Sequence, residues 1–300
     1  MKRHAISAAV ATLIMSASWA TAQDLKTAVD GTFAPHAFPK LSGGTQGFQI
    51  DLFNEVAKRM NRKISILATQ WSGILPSLQA GQIDFVAAPT TVTADRAENM
   101  LFTEGYLNTD FQFLIKKGSA KITKLEDLKG KSIAVNKGSA YDKWARGLVG
   151  KIGWKVASFG TQADAVQAVM SGRAAATMAG NTSVAWAAKK NSNLELSFLV
   201  STGKVFAAPL RKDSAALRVE LENAIECIKL DGTMATLHEK WFGTKPAGAL
   251  PRLPSFLVPV SPASKDMTRH RVSLSVADVV ALHLTAAGYC SCKTLPNLTF

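Results

Sequence analysis

From Leu25 to about Gly243, short apolar runs alternate with segments whose apolar residues recur at helical spacing. "LKTAVDG" carries a strand pattern ending at Gly31, and "KISILAT" and "IDFVAAP" repeat it. Between the first two, "DLFNEVAKRMN" puts Leu52, Phe53, Val56, Ala57 and Met60 on one helical face, with Asp51 as the expected cap. "GILPSLQAG" predicts a short helix stopped by Gly81. The pattern restarts after "TKLEDLKGK", which reads as a helix between sub-units. "SIAVNKGSA" then predicts a strand running into a helix start, "ADAVQAVMSGR" a helix and "AAATMAGN" a strand. Late in the chain, "DSAALRVELENAIECIKLDGTMATLHEKWFG" predicts two helices separated by Asp231 and Gly232. This alternation argues for an α/β fold with largely parallel sheets.

Two extended segments, "DFQFLIKKG" and "GKVFAAPLRKD", flank the middle block. If both cross between lobes, the middle block forms one lobe and the outer pieces build the other. The expected division is residues 23–110 with 206–245 for the first lobe and 111–205 for the second. A two-strand hinge of this kind suits closure on a ligand.

The ends of the chain follow other rules. "MKRHAISAAVATLIMSASWATAQD" opens on Lys2 and Arg3, runs apolar to Trp19, and offers a cut near Ala22, the pattern of an exported protein's signal peptide (1–22). Its apolar core is too short to span a bilayer. No cysteine follows the cut, so no lipid anchor is expected there. From 246 to 300 the chain continues as an atypical tail, Pro-rich at first, whose run from Val272 to Cys290 contains Asp278 and His283 and makes a poor membrane span. The tail reads either as a docking helix or as sequence without a selected fold, such as an altered reading frame.

Composition narrows the function classes. The formal net charge is +13, and loss of Lys2 and Arg3 leaves the chain basic. The basic residues are scattered rather than striped, which fits a solvated surface better than nucleic-acid binding. Three cysteines occur, Cys227, Cys290 and Cys292, with no zinc spacing and no disulfide framework; Cys227 reads as a buried thiol. No metal or other cofactor is expected.

One local feature asks for an anion. In "APTTVTADRAENMLFTEGY" Arg96 stands in the first turn of a helix, where the backbone dipole disfavours a cation. Either its guanidinium fork grips a carboxylate with two charge-assisted bonds, which lysine cannot copy, or it pairs with Glu98 or Glu104 at the surface.

The stretches "GFQIDLFNEVAKRM", "WSGILPSLQAGQIDFVAAPTTVTADRAENMLFTEGY", "ITKLEDLKGKSIAVNKGSA" and "LRKDSAALRVELENAIECIKLDGTMATLHEKWFG" occur in family order over residues 24 to 245. Together they resemble the extracellular solute-binding proteins of the polar amino-acid type, family 3, the receptors of ABC importers. The resemblance implies a two-lobed periplasmic-binding-protein fold of type II, with the ligand between the lobes. It implies that Arg96 holds the ligand carboxylate, joined by Thr91 and, from the second lobe, by Ser139 in "NKGSA", where Gly138 permits a tight approach. Phe33 and Trp71 match aromatic positions that sandwich the ligand. Asp30 matches a position near the distal end of basic ligands, although it also reads as a turn residue before Gly31. Thr90 and Asn181 complete the expected discriminating set. The implied partners are a small-molecule ligand and an ABC permease in the inner membrane, with the receptor a periplasmic monomer that binds no nucleic acid.

One departure matters. Relatives place an ammonium-binding aspartate after a "GR" strand; here, in "GRAAATMAGNTSVAWAAK", that place falls on Gly180 or, with a one-residue shift, on Asn181. Asp30 or another carboxylate takes over, or Asn181 and backbone carbonyls suffice, or the ligand is a carboxylate without an α-amino group. Two other functions stay open from sequence alone. One is a cleft enzyme of the cyclohexadienyl dehydratase type with Asp30 as acid-base group; the other is a sensor feeding a membrane kinase.

Overall fold

A computed structural model describes residues 24–246; the segment read as a signal peptide and the tail from 247 onward lie outside the described residues. Two mixed sheets, each covered by helices, organise the chain. In the first sheet the strand order is Ile64–Thr69, Leu25–Asp30, Phe85–Val86, Pro209–Leu210, Leu101–Phe102. Leu25–Asp30 runs parallel to Ile64–Thr69 with Leu25 opposite Ile64 and Asp30 opposite Thr69. Parallel strands need a crossover, and the helix Phe48–Met60 supplies it. Phe48, Leu52, Phe53 and Val56 of that helix are fully buried, packing with Leu221, Ala224, Ile225 and Ile228 of the helix Ala215–Leu230. Each such side chain contributes about 1.5–3 kcal/mol by leaving water.

The second sheet runs Lys155–Phe159, Ser132–Asn136, Ala176–Gly180, Leu107–Lys116, Leu194–Ala207, Thr90–Thr91. Its own core gathers Phe111, Phe113, Ile133, Val135, Trp154 and Met178. Its first three strands are parallel, but Leu107–Lys116 is antiparallel to both neighbours. The sheets are therefore mixed rather than largely parallel. The reason is topological: Leu107–Lys116 carries the chain into the second lobe and Leu194–Ala207 carries it back, so the two must oppose. Thr90–Thr91, although it follows directly on the first sheet, pairs with Phe206 and Ala207 and ties the lobes together at the hinge.

Several local expectations need correction. The helix expected to begin at Asp51 begins at Phe48 with Gly47 as its N-cap, and Asp51 in its first turn accepts hydrogen bonds from Lys240 (2.7 Å) and Trp241 (2.8 Å). "TKLEDLKGK" forms only the 3-10 turn Leu125–Leu128. Cys227, expected to be buried, sits off the apolar stripe of its helix and is half-buried. The helix Asn181–Lys190 was not anticipated. Among the described residues no helix is long and apolar enough to cross a membrane.

Candidate functional site

The strand ends of both sheets converge on a small cavity of about 20 Å³ between the lobes. Asp30 comes from the end of the strand Leu25–Asp30, and Phe33 from the turn that follows. Trp71 opens the helix Trp71–Gln79, while Ala88, Pro89 and Thr91 lead into the short helix Ala94–Asn99 that carries Arg96. The second lobe contributes Asn136, at the end of its strand, and Ser139, Ala140 and Tyr141 at the start of the helix Ala140–Gly147. The turn between them needs Gly138, whose φ of +73° lies in the left-handed region.

Arg96 is positioned rather than paired. Its Nη1 donates to the Thr91 carbonyl (2.8 Å) and its Nη2 to the Gly138 carbonyl (3.3 Å), and its guanidinium lies 5.5 Å from the Trp71 ring centroid. Among the described residues no carboxylate lies within ion-pair distance of it, and Glu104 faces Lys229 instead (3.9 Å). Burial lowers the Arg96 pKa to about 10, which still leaves it charged at neutral pH, with the nearby Tyr141 opposing the shift. A guanidinium held between two carbonyls and an aromatic face, without a counter-ion, is a built anion receptor.

Among the described residues Asp30 is the cavity's only carboxylate. Its Oδ1 accepts from the Thr32 backbone (3.0 Å) and hydroxyl (2.8 Å), and its Oδ2 accepts from Asn136 Nδ2 across the cleft (3.2 Å). Burial raises its pKa above the usual carboxylate value, and the bonds from Thr32 and Asn136 work against that shift. The Asn136 Oδ1 is buried without a hydrogen-bond partner. Burial likewise pushes the Tyr141 phenol up to about 12, so it stays neutral.

Six of the residues singled out from sequence meet at this cavity: Asp30, Phe33, Trp71, Thr91, Arg96 and Ser139. Two do not. Thr90, adjacent to Thr91 on a strand and so pointing the other way, returns its hydroxyl to the Ala88 carbonyl (2.9 Å). Asn181 turns its Oδ1 to the Asp110 backbone (3.3 Å) and lines a separate groove with Trp186 and Trp241. Ser139 serves largely as a helix cap: its hydroxyl accepts from the Asp142 backbone (3.1 Å) and its N–H donates to the Asn136 carbonyl (3.1 Å). Sequence reasoning missed Asn136 and Tyr141 as cavity residues, although Asn136 opens the "NKGSA" turn it had singled out and Tyr141 follows it. It also missed His36, which is fully buried, stacks on Phe33 (5.4 Å between centroids) and links the lobes through Nε2 to Thr182 Oγ1 (2.8 Å).

The lobes are closed on one another. The Arg96–Gly138, Asp30–Asn136 and His36–Thr182 contacts and an ion pair of Asp95 with Lys143 all cross between them. Two α/β lobes on a two-strand hinge, with a charged cavity at their junction, define a solute-binding protein. Residues 25–244 match the model of the bacterial extracellular solute-binding proteins, family 3, and the chain belongs to that family. The L-cystine-binding protein TcyJ of Escherichia coli is 30% identical over 225 residues, covering 73% of this chain and 82% of that protein. Among solved structures, an ancestral arginine-binding protein bound to arginine superposes with a TM-score of 0.70 at 32% identity, over 73% of this chain and 98% of the other. The ancestral amino acid-binding protein AncCDT-1, a precursor of cyclohexadienyl dehydratase, gives 0.68 at 32% identity, over 73% and 95%. These relatives are binding proteins, and the chain is a solute-binding protein rather than an enzyme.

Proposed function

We propose that the protein captures an amino acid or a related polar carboxylate in the periplasm and delivers it, as a monomer, to an ABC permease in the inner membrane. The observation that carries this reading is Arg96, a desolvated guanidinium at the lobe junction with no carboxylate partner among the described residues. A solute carboxylate supplies the missing charge. Closing the lobes around it removes water from the pair, which strengthens the attraction. The hinge strands Leu107–Lys116 and Leu194–Ala207 are the segments about which the lobes, 23–110 with 206–245 and 111–205, open and close. Cleavage near Ala22 frees the exported chain into the periplasm.

The test is a thermal-shift screen of ligand-free protein against the twenty amino acids and simple carboxylates. A ligand that binds only the folded state at a hundred times its Kd stabilises by about 2.7 kcal/mol, a readily measured rise in Tm. No rise with any carboxylate, at millimolar concentration, overturns the reading.

A further inference from the structure

The charges that line the cleft are few enough to count, and the count restricts the solute. Among the described residues one guanidinium, Arg96, and one carboxylate, Asp30, face the cavity. The second lobe's wall is made of Asn136, Ser139, Ala140 and Tyr141, none of them anionic. The other acids nearby are committed elsewhere. Asp142 accepts from Gly138 through Oδ2 (2.9 Å) and from Arg146 and Ser158 through Oδ1 (2.7 and 2.8 Å). Asp110 accepts from the Thr202 backbone (2.7 Å), and Asp95 pairs with Lys143 at the rim.

The second lobe is also closed to a further acid at the strand end beside Tyr141. A Cβ placed on Gly180 would lie 3.0 Å from Tyr141 Oη, 3.2 Å from Thr109 Oγ1 and 3.3 Å from Phe206 Cζ. Among the side chains that line the cavity, capacity is left on the Asp30 side, where the unpartnered Asn136 Oδ1 is an acceptor and Asp30 Oδ2 makes a single bond; Thr109 Oγ1 beside Gly180 is also unpartnered but does not line the cavity. Both suit one donor-rich cation between them.

Building on the receptor reading above, we propose that the cleft selects solutes with one carboxylate and one cationic group, held by Arg96 and by Asp30 with Asn136 respectively. It discriminates against dibasic amino acids, which would bring a second ammonium or guanidinium into a closed cavity with no second carboxylate among the described residues. An unmatched charge there loses its hydration without replacement, and that loss exceeds what the added contacts return.

Calorimetric titration of the mature protein with a graded set of compounds tests this. L-arginine and L-lysine carry two cations; L-citrulline, 6-aminohexanoate and 5-guanidinopentanoate carry one; hexanoate carries none. The expected order puts a one-cation compound first, at least tenfold tighter than either dibasic amino acid and tighter than hexanoate. Arginine or lysine binding as tightly as the best one-cation compound, or hexanoate leading, overturns the inference while leaving the receptor reading intact. Any hit from the broader screen is judged by the same count of cations. Silence from this set and the broader screen together overturns both. In Asp30→Asn, folded by circular dichroism, the advantage of 6-aminohexanoate over hexanoate should fall at least tenfold; an unchanged advantage removes Asp30 as the cation's partner.

Discussion

Arg96 and Gly138 meet across the cleft, the guanidinium Nη2 of the first lobe donating to the carbonyl of the second at 3.3 Å. That bond ties closure to the same group that is read as the solute's anchor. The other anchor of the guanidinium, the Thr91 carbonyl, lies on its own lobe, so Arg96 is oriented before the lobes meet. Orientation in advance lowers the entropy lost on binding.

Replacing Arg96 with alanine should therefore weaken solute binding by about 3 kcal/mol, roughly a hundredfold, because the solute carboxylate would be buried without its partner. Arg96→Lys should recover only part of this, since an ammonium cannot make the parallel two-bond contact. Calorimetry on both variants, with unfolding curves as the control for folding, gives the comparison. Full affinity in the alanine variant would place the solute carboxylate elsewhere.

A second expectation concerns Gly180. Its φ of −59° is open to any residue, so backbone freedom is not what keeps glycine there. The crowding by Tyr141, Thr109 and Phe206 is. Gly180→Ala should destabilise by about 1–3 kcal/mol through overpacking. Tyr141→Phe removes the nearest atom, so the same change made in that background should be milder, with a coupling energy of about 1 kcal/mol. Urea unfolding of the two single variants and the double variant measures it. Additive effects would mean that the hydroxyl is not the obstacle.

The fold was largely legible because its signals are local. The apolar face of Phe48–Met60 and the alternation of strand and helix follow from side-chain periodicity alone. What escaped was set by distant partners. The antiparallel course of Leu107–Lys116 follows from chain path, and the pairing of Thr90–Thr91 with Phe206 and Ala207 joins residues far apart in sequence. In the site, Arg96 stood out because a cation in a first turn is locally unfavourable, whereas Asn136 looks like any strand-end polar residue until Asp30 is seen opposite it. Asn181 misled for the same reason. Its place in the chain suggested the cleft, but the rotation of its helix start turns the side chain to the Asp110 backbone.

Truncation after Pro246 should leave solute affinity unchanged within about twofold, a difference of about 0.4 kcal/mol. The last described helix, Thr233–Phe242, ends at Gly243 in the left-handed conformation that closes helices, and Met234 and Leu237 complete the first lobe's core before that point. Every described residue that lines the cavity lies upstream. Calorimetry on the full and shortened chains decides it, and a large loss of affinity would assign the tail to the binding unit.

His36 should give the protein an acid-sensitive stability. Its ring is surrounded by Phe33, Phe48, Phe206 and Phe242, with Thr182 Oγ1 as its side-chain hydrogen-bond partner, and burial lowers its pKa from 6.5 to about 3. Between those two values the unfolded chain binds a proton that the folded chain excludes. The stabilisation is thus fully present above the unfolded pKa and is lost as pH falls through the window toward 3. One proton gives a slope of up to about 1.4 kcal/mol per pH unit. Carboxylates also titrate at the acid end, so the useful quantity is the difference in slope between the native chain and His36→Gln, measured by urea unfolding from about pH 6.5 to 5. The variant will be less stable throughout, since it loses the aromatic packing, but its curve should be flatter by most of that slope. Parallel curves would mean that the folded protein admits the proton at His36, and that the lobe contact through Thr182 survives its charging.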